Sequence, residues 1–160
     1  MNKKIIGQAM AISMFLSLIL SCNQNYFYSS ETIIPDGVWN DKKAAVFIPD
    51  FKDSTQNYNL ILSVTNSDDY RYSNLWFFIN TISPDGFLHK DTIEVILAEE
   101  NGKWKGKKDG DYRTAQFYFK KMVRFPKTGK YTFEIIHGMR DNNLKGIEKI
   151  GLLIEDNNQN

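Results

Sequence analysis

Cysteine is almost missing from this sequence and histidine is scarce: Cys22 stands alone, and His89 and His137 are the only imidazoles. A lone thiol excludes an internal disulfide in any compartment. A structural zinc site wants three or four Cys, His or carboxylate ligands, so the supply is thin. A charge surplus is missing as well. Twenty Lys and Arg face 19 Asp and Glu, a formal net charge of +1, and no basic field exists to collect nucleic acid. No G-x-S-x-G nucleophile elbow occurs. After Leu20 there is no second long apolar run and no convincing amphipathic helix. Prolines number only four, and all of them fall between apolar runs rather than inside one.

What is present begins at the N-terminus. Lys3 and Lys4 precede a mostly apolar segment, Ile5 to Leu20, interrupted by Gly7, Gln8, Ser13 and Ser17. A membrane span wants about 20 apolar residues, so this run is marginal as a spanning helix. It fits the charged-then-apolar layout of a secretory leader much better. The run closes on "ILSC", two aliphatic residues, a small one and the single cysteine, which resembles the lipobox of bacterial lipoproteins. That resemblance implies a diacylglyceryl thioether on Cys22, cleavage after the small Ser21, and acylation of the freed amine. An ordinary cleaved leader with a chance cysteine is the bland alternative. Each buried methylene contributes about 0.8 kcal/mol and one chain holds only marginally, so stable attachment takes at least two. A lipidated Cys22 meets that need. Asn23 is not the aspartate of the inner-membrane retention rule, and "NQNYFYSS" carries no charge before Glu31. The expectation is an outer-membrane lipoprotein facing the periplasm.

Beyond the leader the punctuation is regular. Pro35-Asp36-Gly37, Pro49-Asp50, Pro84-Asp85-Gly86 and Pro126 ahead of Thr128-Gly129 supply turn geometry. Between them the apolar pattern has period two. Tyr58, Leu60, Leu62 and Val64 share one face; Ile93, Val95 and Leu97 share another; Tyr131, Phe133, Ile135 and His137 form a third. "NLWFFINTI" is apolar on both faces, which predicts a central strand covered on each side. About eight short strands with turns between them indicate an all-β fold, an antiparallel β-sandwich of jelly-roll type. The expected layout is a leader over 1–21, a lipidated tether over 22–30, the sandwich over 31–155 and a frayed tail over 156–160.

Candidate chemistry is sparse. His137 continues an apolar strand face and reads first as a core histidine. Arg140 close behind it keeps an anion pocket open as an alternative. His89 reads as an exposed strand-edge residue. Glu94, Glu99, Glu100 and Glu134 would serve as glycosidase carboxylates only at a separation of roughly 5–10 Å, which sequence does not give. "NSDDYRYSN" over Asn66 to Asn74 is rich in oxygen ligands but lacks EF-hand spacing, so a hydrogen-bonded turn is the simpler reading. In "GKWKGKKDGDYR", Lys103, Lys105, Lys107 and Lys108 surround Trp104, either as an anionic grip or as a solvated hairpin with Trp104 capping the core. No cofactor and no catalytic or metal residue is expected.

The ordered motifs "DSTQNYNLILSVTNSDDYRYSNLWFFI", "SPDG", "GKWKG" and "VRFPKTGKYTFEIIHGMR" resemble the gliding-motility lipoprotein family GldH of Bacteroidota, from about Tyr28 to Glu155. The resemblance implies a cell-envelope lipoprotein that family members need for gliding over surfaces, and members occur in non-gliding Bacteroidota as well. It carries no enzyme activity, and only Cys22 transfers as a functional residue. The expected partners are the membrane, through acyl chains, and envelope or gliding-machinery proteins. Asp69, Tyr70, Arg71, Tyr72, Trp104 and Arg140 are the candidate contact residues. A glycan-binding module is the alternative function, and an envelope hydrolase a third.

Overall fold

The structure is a computed structural model that describes residues 26–157. The leader, Ser21 and Cys22 lie outside the described residues. Every described element is a strand apart from one 3-10 turn over Pro35–Gly37. That turn follows from proline at its first position and from the left-handed Asp36 and Gly37, at φ 57° and 61°.

The strands are β1 (Tyr28–Ile33), β2 (Val38–Asn40), β3 (Ala45–Phe47), β4 (Asp50–Phe51), β5 (Tyr58–Ser67), β6 (Asn74–Ile82) and β7 (Leu88–Ile96). The remainder are β8 (Lys107–Asp109), β9 (Tyr112–Val123), β10 (Gly129–Lys130), β11 (Thr132–His137), β12 (Asn143–Lys145) and β13 (Ile147–Asp156). One sheet has the order β1-β13-β5-β9-β8 and the other β3-β11-β6-β7, with two short ribbons, β10-β4 and β12-β2. All pairings are antiparallel. Set aside the short β2, β4, β8, β10 and β12, and eight principal strands remain. Numbered in chain order, they run 1-8-3-6 in one sheet and 2-7-4-5 in the other, the interleaving of a jelly roll. The expected eight strands are these; the other five are short additions at the ends and one edge.

A single core lies between the sheets. Leu60, Leu62 and Val64 of β5 and Ile150, Leu152 and Ile154 of β13 face Leu75, Phe77 and Ile79 of β6 and Phe133 and Ile135 of β11. Each of these side chains is nearly or wholly removed from water, which is where the period-two pattern delivers its free energy, at about 25 cal/mol per Å² of apolar surface.

The strands run end to end, so the molecule has two distinct ends. The chain enters beside Phe27, next to the start of β5, the β6–β7 hairpin and the end of β9; this is the tether end. The far end collects residues 66–74, 97–111 and 138–146. The first strand begins at Tyr28. At the other terminus Asn157 is fixed, its N–H donating to Asn57 O at 3.1 Å and its amide to Asn59 Oδ1 at 2.9 Å.

One expectation fails. β6 is central in its sheet, but its outward side chains are not covered: Trp76 is 38% and Phe78 50% exposed. No described element packs on that outer face, so the second apolar row of "NLWFFINTI" stays in water.

Candidate functional site

All six candidate contact residues lie at the far end, and four of them, Asp69, Arg71, Tyr72 and Arg140, line two grooves there. The loop between β5 and β6 brings Asp69, Arg71 and Tyr72 to the mouth of a groove of about 210 Å³, where Asp141, Asn143 and Lys145 form the opposite wall. The Tyr72 hydroxyl donates to Asp141 Oδ2 at 2.7 Å. That carboxylate, more than partial desolvation or its negative field, holds the phenol above its usual pKa. Tyr72 also borders a second groove of about 460 Å³ with Asn74, Trp76, Gly138, Met139 and Arg140. The two grooves meet at one tyrosine. The second runs on to the open face of the β3-β11-β6-β7 sheet.

Gly138 shapes that junction. A Cβ there would sit 3.1 Å from the Phe78 ring and 3.3 Å from Trp76 Cβ, so any larger residue would push these two aromatic side chains away by a few tenths of an ångström. Gly146 does comparable work below. It has φ +83° and a Cβ would come 2.3 Å from Tyr70 N, so the loop can pack on the chain only because the side chain is missing.

Tyr70 is the correction among the six. It is 2% exposed and belongs to the core, its hydroxyl donating to Asn74 O at 2.6 Å. It underlies the grooves and lines neither of them. Trp104 is half-buried, packs against the core with its ring 6.3 Å from Tyr70, and has the Arg113 guanidinium 5.8 Å over its face. Its capping role is the one observed. Lys103, Lys105, Lys107 and Lys108 are all exposed around it.

The remaining candidates disperse. His137 is buried, donates from Nε2 to Trp39 O at 3.0 Å and packs its ring 5.2 Å from the indole. Burial pushes its pKa down, against the opposing pull of the Trp39 carbonyl and of Asp41 and Asp141. His89 is exposed on edge strand β7 beside Asp91. Glu94 and Glu134 carry structural hydrogen bonds to Asn74 and Asn80. In the 66–74 loop, Asp68 pairs with Arg113 at 2.5 Å and Tyr70 N donates to Ser67 O. Among the described residues no group of three or more His, Cys, Asp or Glu could hold a metal ion.

The sequence reading missed Trp76, Phe78, Met139, Asp141 and Lys145. The signal for the first two was present in the doubled apolar face of β6, read as coverage when it is exposure. Asp141 and Lys145 gave none, because only folding brings them to the 69–72 loop.

These two grooves are accompanied by a clear relationship. A sequence model of the GldH lipoprotein matches residues 26–154. The chain belongs to the GldH lipoprotein family. A gliding motility lipoprotein GldH homolog from Christiangramia forsetii is 32% identical over 157 residues, covering 92% of this chain and 96% of that protein. The gliding motility lipoprotein GldH of Flavobacterium johnsoniae is 27% identical over 145 residues, covering 86% and 89%. Both names speak of motility and lipid attachment, and neither names a reaction. Among solved structures, two infectious bursal disease virus chains match at 13% and 11% identity with TM-scores of 0.33 and 0.31. The chain covers 83% and 82% of itself in those matches but only 32% and 30% of the viral chains, and values this low support no inference.

Proposed function

We propose that this chain is a lipid-anchored, non-catalytic component of the gliding-associated cell envelope, held at the outer membrane by acyl chains on Cys22, facing the periplasm and acting by protein–protein contact. The observation that carries the proposal is the opposition of the two ends. The chain enters the sandwich at Phe27. Asp69, Arg71, Tyr72 and Arg140 lie at the other end of strands such as β5, whose ten residues span about 33 Å. A lipid at Cys22 fixes one end to the membrane and turns the other towards the periplasm. The far end mixes both signs of charge with tyrosine, and it adjoins Trp76, Phe78, Val46 and Ile96, all exposed apolar side chains on one sheet face. Exposed apolar surface rimmed by polar groups marks contact sites, and Tyr, Trp and Arg dominate their energetics.

Crosslinking in whole cells followed by capture of the full-length lipoprotein tests this. Envelope proteins should be recovered, and Trp76→Ala with Arg71→Glu should reduce that recovery. Cys22→Ala should move the protein out of the membrane fraction or stall its processing. Unchanged fractionation of Cys22→Ala would remove the anchor, and unchanged capture by the face variant would remove the contact surface.

A second reading, a glycan-binding module, has one observation in its favour. Trp76 and Phe78 stand two residues apart on an open sheet face, a flat platform on which a sugar ring can stack. Binding of peptidoglycan or lipopolysaccharide with no protein recovered would favour it.

A further inference from the structure

A cavity of about 460 Å³ opens at the tether end, within the roughly 300–1,000 Å³ range of small-ligand pockets. Its apolar walls come from both sheets: Leu60 and Val123 from one, Phe133 from the other, with Phe125, Tyr131 and the exposed Phe87 closing the sides. Nothing in the contact surface at the far end makes use of it.

Three features shape its character. The β5–β9 ladder breaks register on both sides of Leu60, and Met122 takes a left-handed φ of 55°, so the ladder is locally disrupted beside the cavity. The rim cations are largely neutralised: Lys120 pairs with Asp91 at 2.6 Å, and Lys127 pairs with Asp85. Arg124 donates to Asn57 and has no carboxylate partner among the described residues. The pocket therefore offers hydrocarbon-lined space with one available guanidinium at its mouth. That is the pattern of a site for an aliphatic chain carrying an ester, not for a sugar or a nucleotide.

The route of the N-terminal segment names the occupant. Phe27 stacks on Phe51 at 5.3 Å, and Phe51 stacks on Phe125, a wall of the cavity, at 3.8 Å. Cys22 lies five residues before Phe27, a reach of at most roughly 18 Å. We propose that the cavity houses one acyl chain of the lipid on Cys22, with Arg124 donating to an ester carbonyl of the glyceryl group. This inference rests on the lipid-anchor reading and deepens it. With three chains on Cys22, burying one leaves two in the bilayer, which still anchor; with two, burying one leaves a marginal hold. Occupancy of the pocket would thus set how firmly the protein is attached.

The test feeds cells of the native host a fatty acid carrying a diazirine, irradiates them, and maps the crosslinks of the labelled lipoprotein by mass spectrometry. Expected are label on Cys22 and crosslinks to peptides containing Val123, Phe125 or Phe133. Phe87→Glu alters a side chain 68% exposed at the mouth, so folding is spared. It should lower those crosslinks about tenfold, the effect of roughly 1.4 kcal/mol against entry, while leaving the label on Cys22 unchanged. Label on Cys22 with crosslinks only to membrane lipid, to other proteins or to strands away from the cavity would overturn the pocket and spare the anchor. Undiminished crosslinking in Phe87→Glu would do the same. Absence of label from Cys22 would overturn both.

Discussion

At the tether end Phe51 is enclosed by rings: Phe27, Tyr58, Phe125 and Tyr131 all have centroids within 3.8–5.4 Å of it. At the far end Asp69, Arg71, Tyr72 and Asp141 surround a small groove open to water. Both ends close the same jelly roll, yet they solve different problems. The ring cluster removes large apolar area from water and holds the sheets together where the chain enters. The groove at the far end is walled by polar side chains with little burial, so these side chains contribute little to stability, while Tyr70, Leu97 and Leu144 beneath them belong to the core. Charge there is mixed, with Asp68 already committed to Arg113 and Tyr72 to Asp141, which favours selective contact over a broad electrostatic field.

Substitutions at each end should widen this contrast or erase it. The largest effect belongs to Phe51→Ala, which opens a void in the ring cluster. It should cost about 3–5 kcal/mol in denaturant unfolding, and a loss below 1 kcal/mol would mean the tether end does not carry the stability assigned to it. Next comes Gly146→Ala, where a Cβ meets Tyr70 backbone at a positive φ. A loss of roughly 1–3 kcal/mol is expected, together with weaker partner recovery because the 69–72 loop must shift.

A pH effect should be smaller. His137 is held neutral by burial, so its folded pKa lies below the 6.5 of the free side chain. Below that value the unfolded chain binds a proton that the folded chain resists. Stability should therefore fall as pH drops through 6.5, and His137→Gln should flatten that part of the profile in thermal melts. Smallest of all in stability is Tyr72→Phe, which removes the exposed hydrogen bond to Asp141. Its unfolding midpoint should match the parent while partner recovery declines. A clear drop in midpoint would show that the far end is structural after all.

The alternation of Tyr58, Leu60, Leu62 and Val64 made β5 legible as a strand with one core face, although the structure buries its polar face as well, and the same pattern placed His137 in the core. Trp104 over the core was also within reach, since a lone indole among lysines has one apolar place to go. β6 was not, because a strand apolar on both faces looks alike whether a neighbour covers it or solvent does. Tyr70 was illegible for a related reason. It sits in a loop with no period to reveal its direction, and its burial depends on Gly146, far away in the chain.

By itself the sequence determined the class of the fold, since turn chemistry and period-two patterning are local properties repeated along the chain, and its ordered motifs carried the family resemblance. It also supplied the motif at Cys22 on which the anchoring proposal stands. Only the tertiary structure decided which residues share a surface. The far-end groove joins 69–72 to 141–145, and the tether-end cavity joins Leu60 to Phe87, Val123 and Phe133, across strands that are neighbours in space but not in sequence. Side-chain direction is written residue by residue; what each side chain meets is settled when the two sheets close on one another.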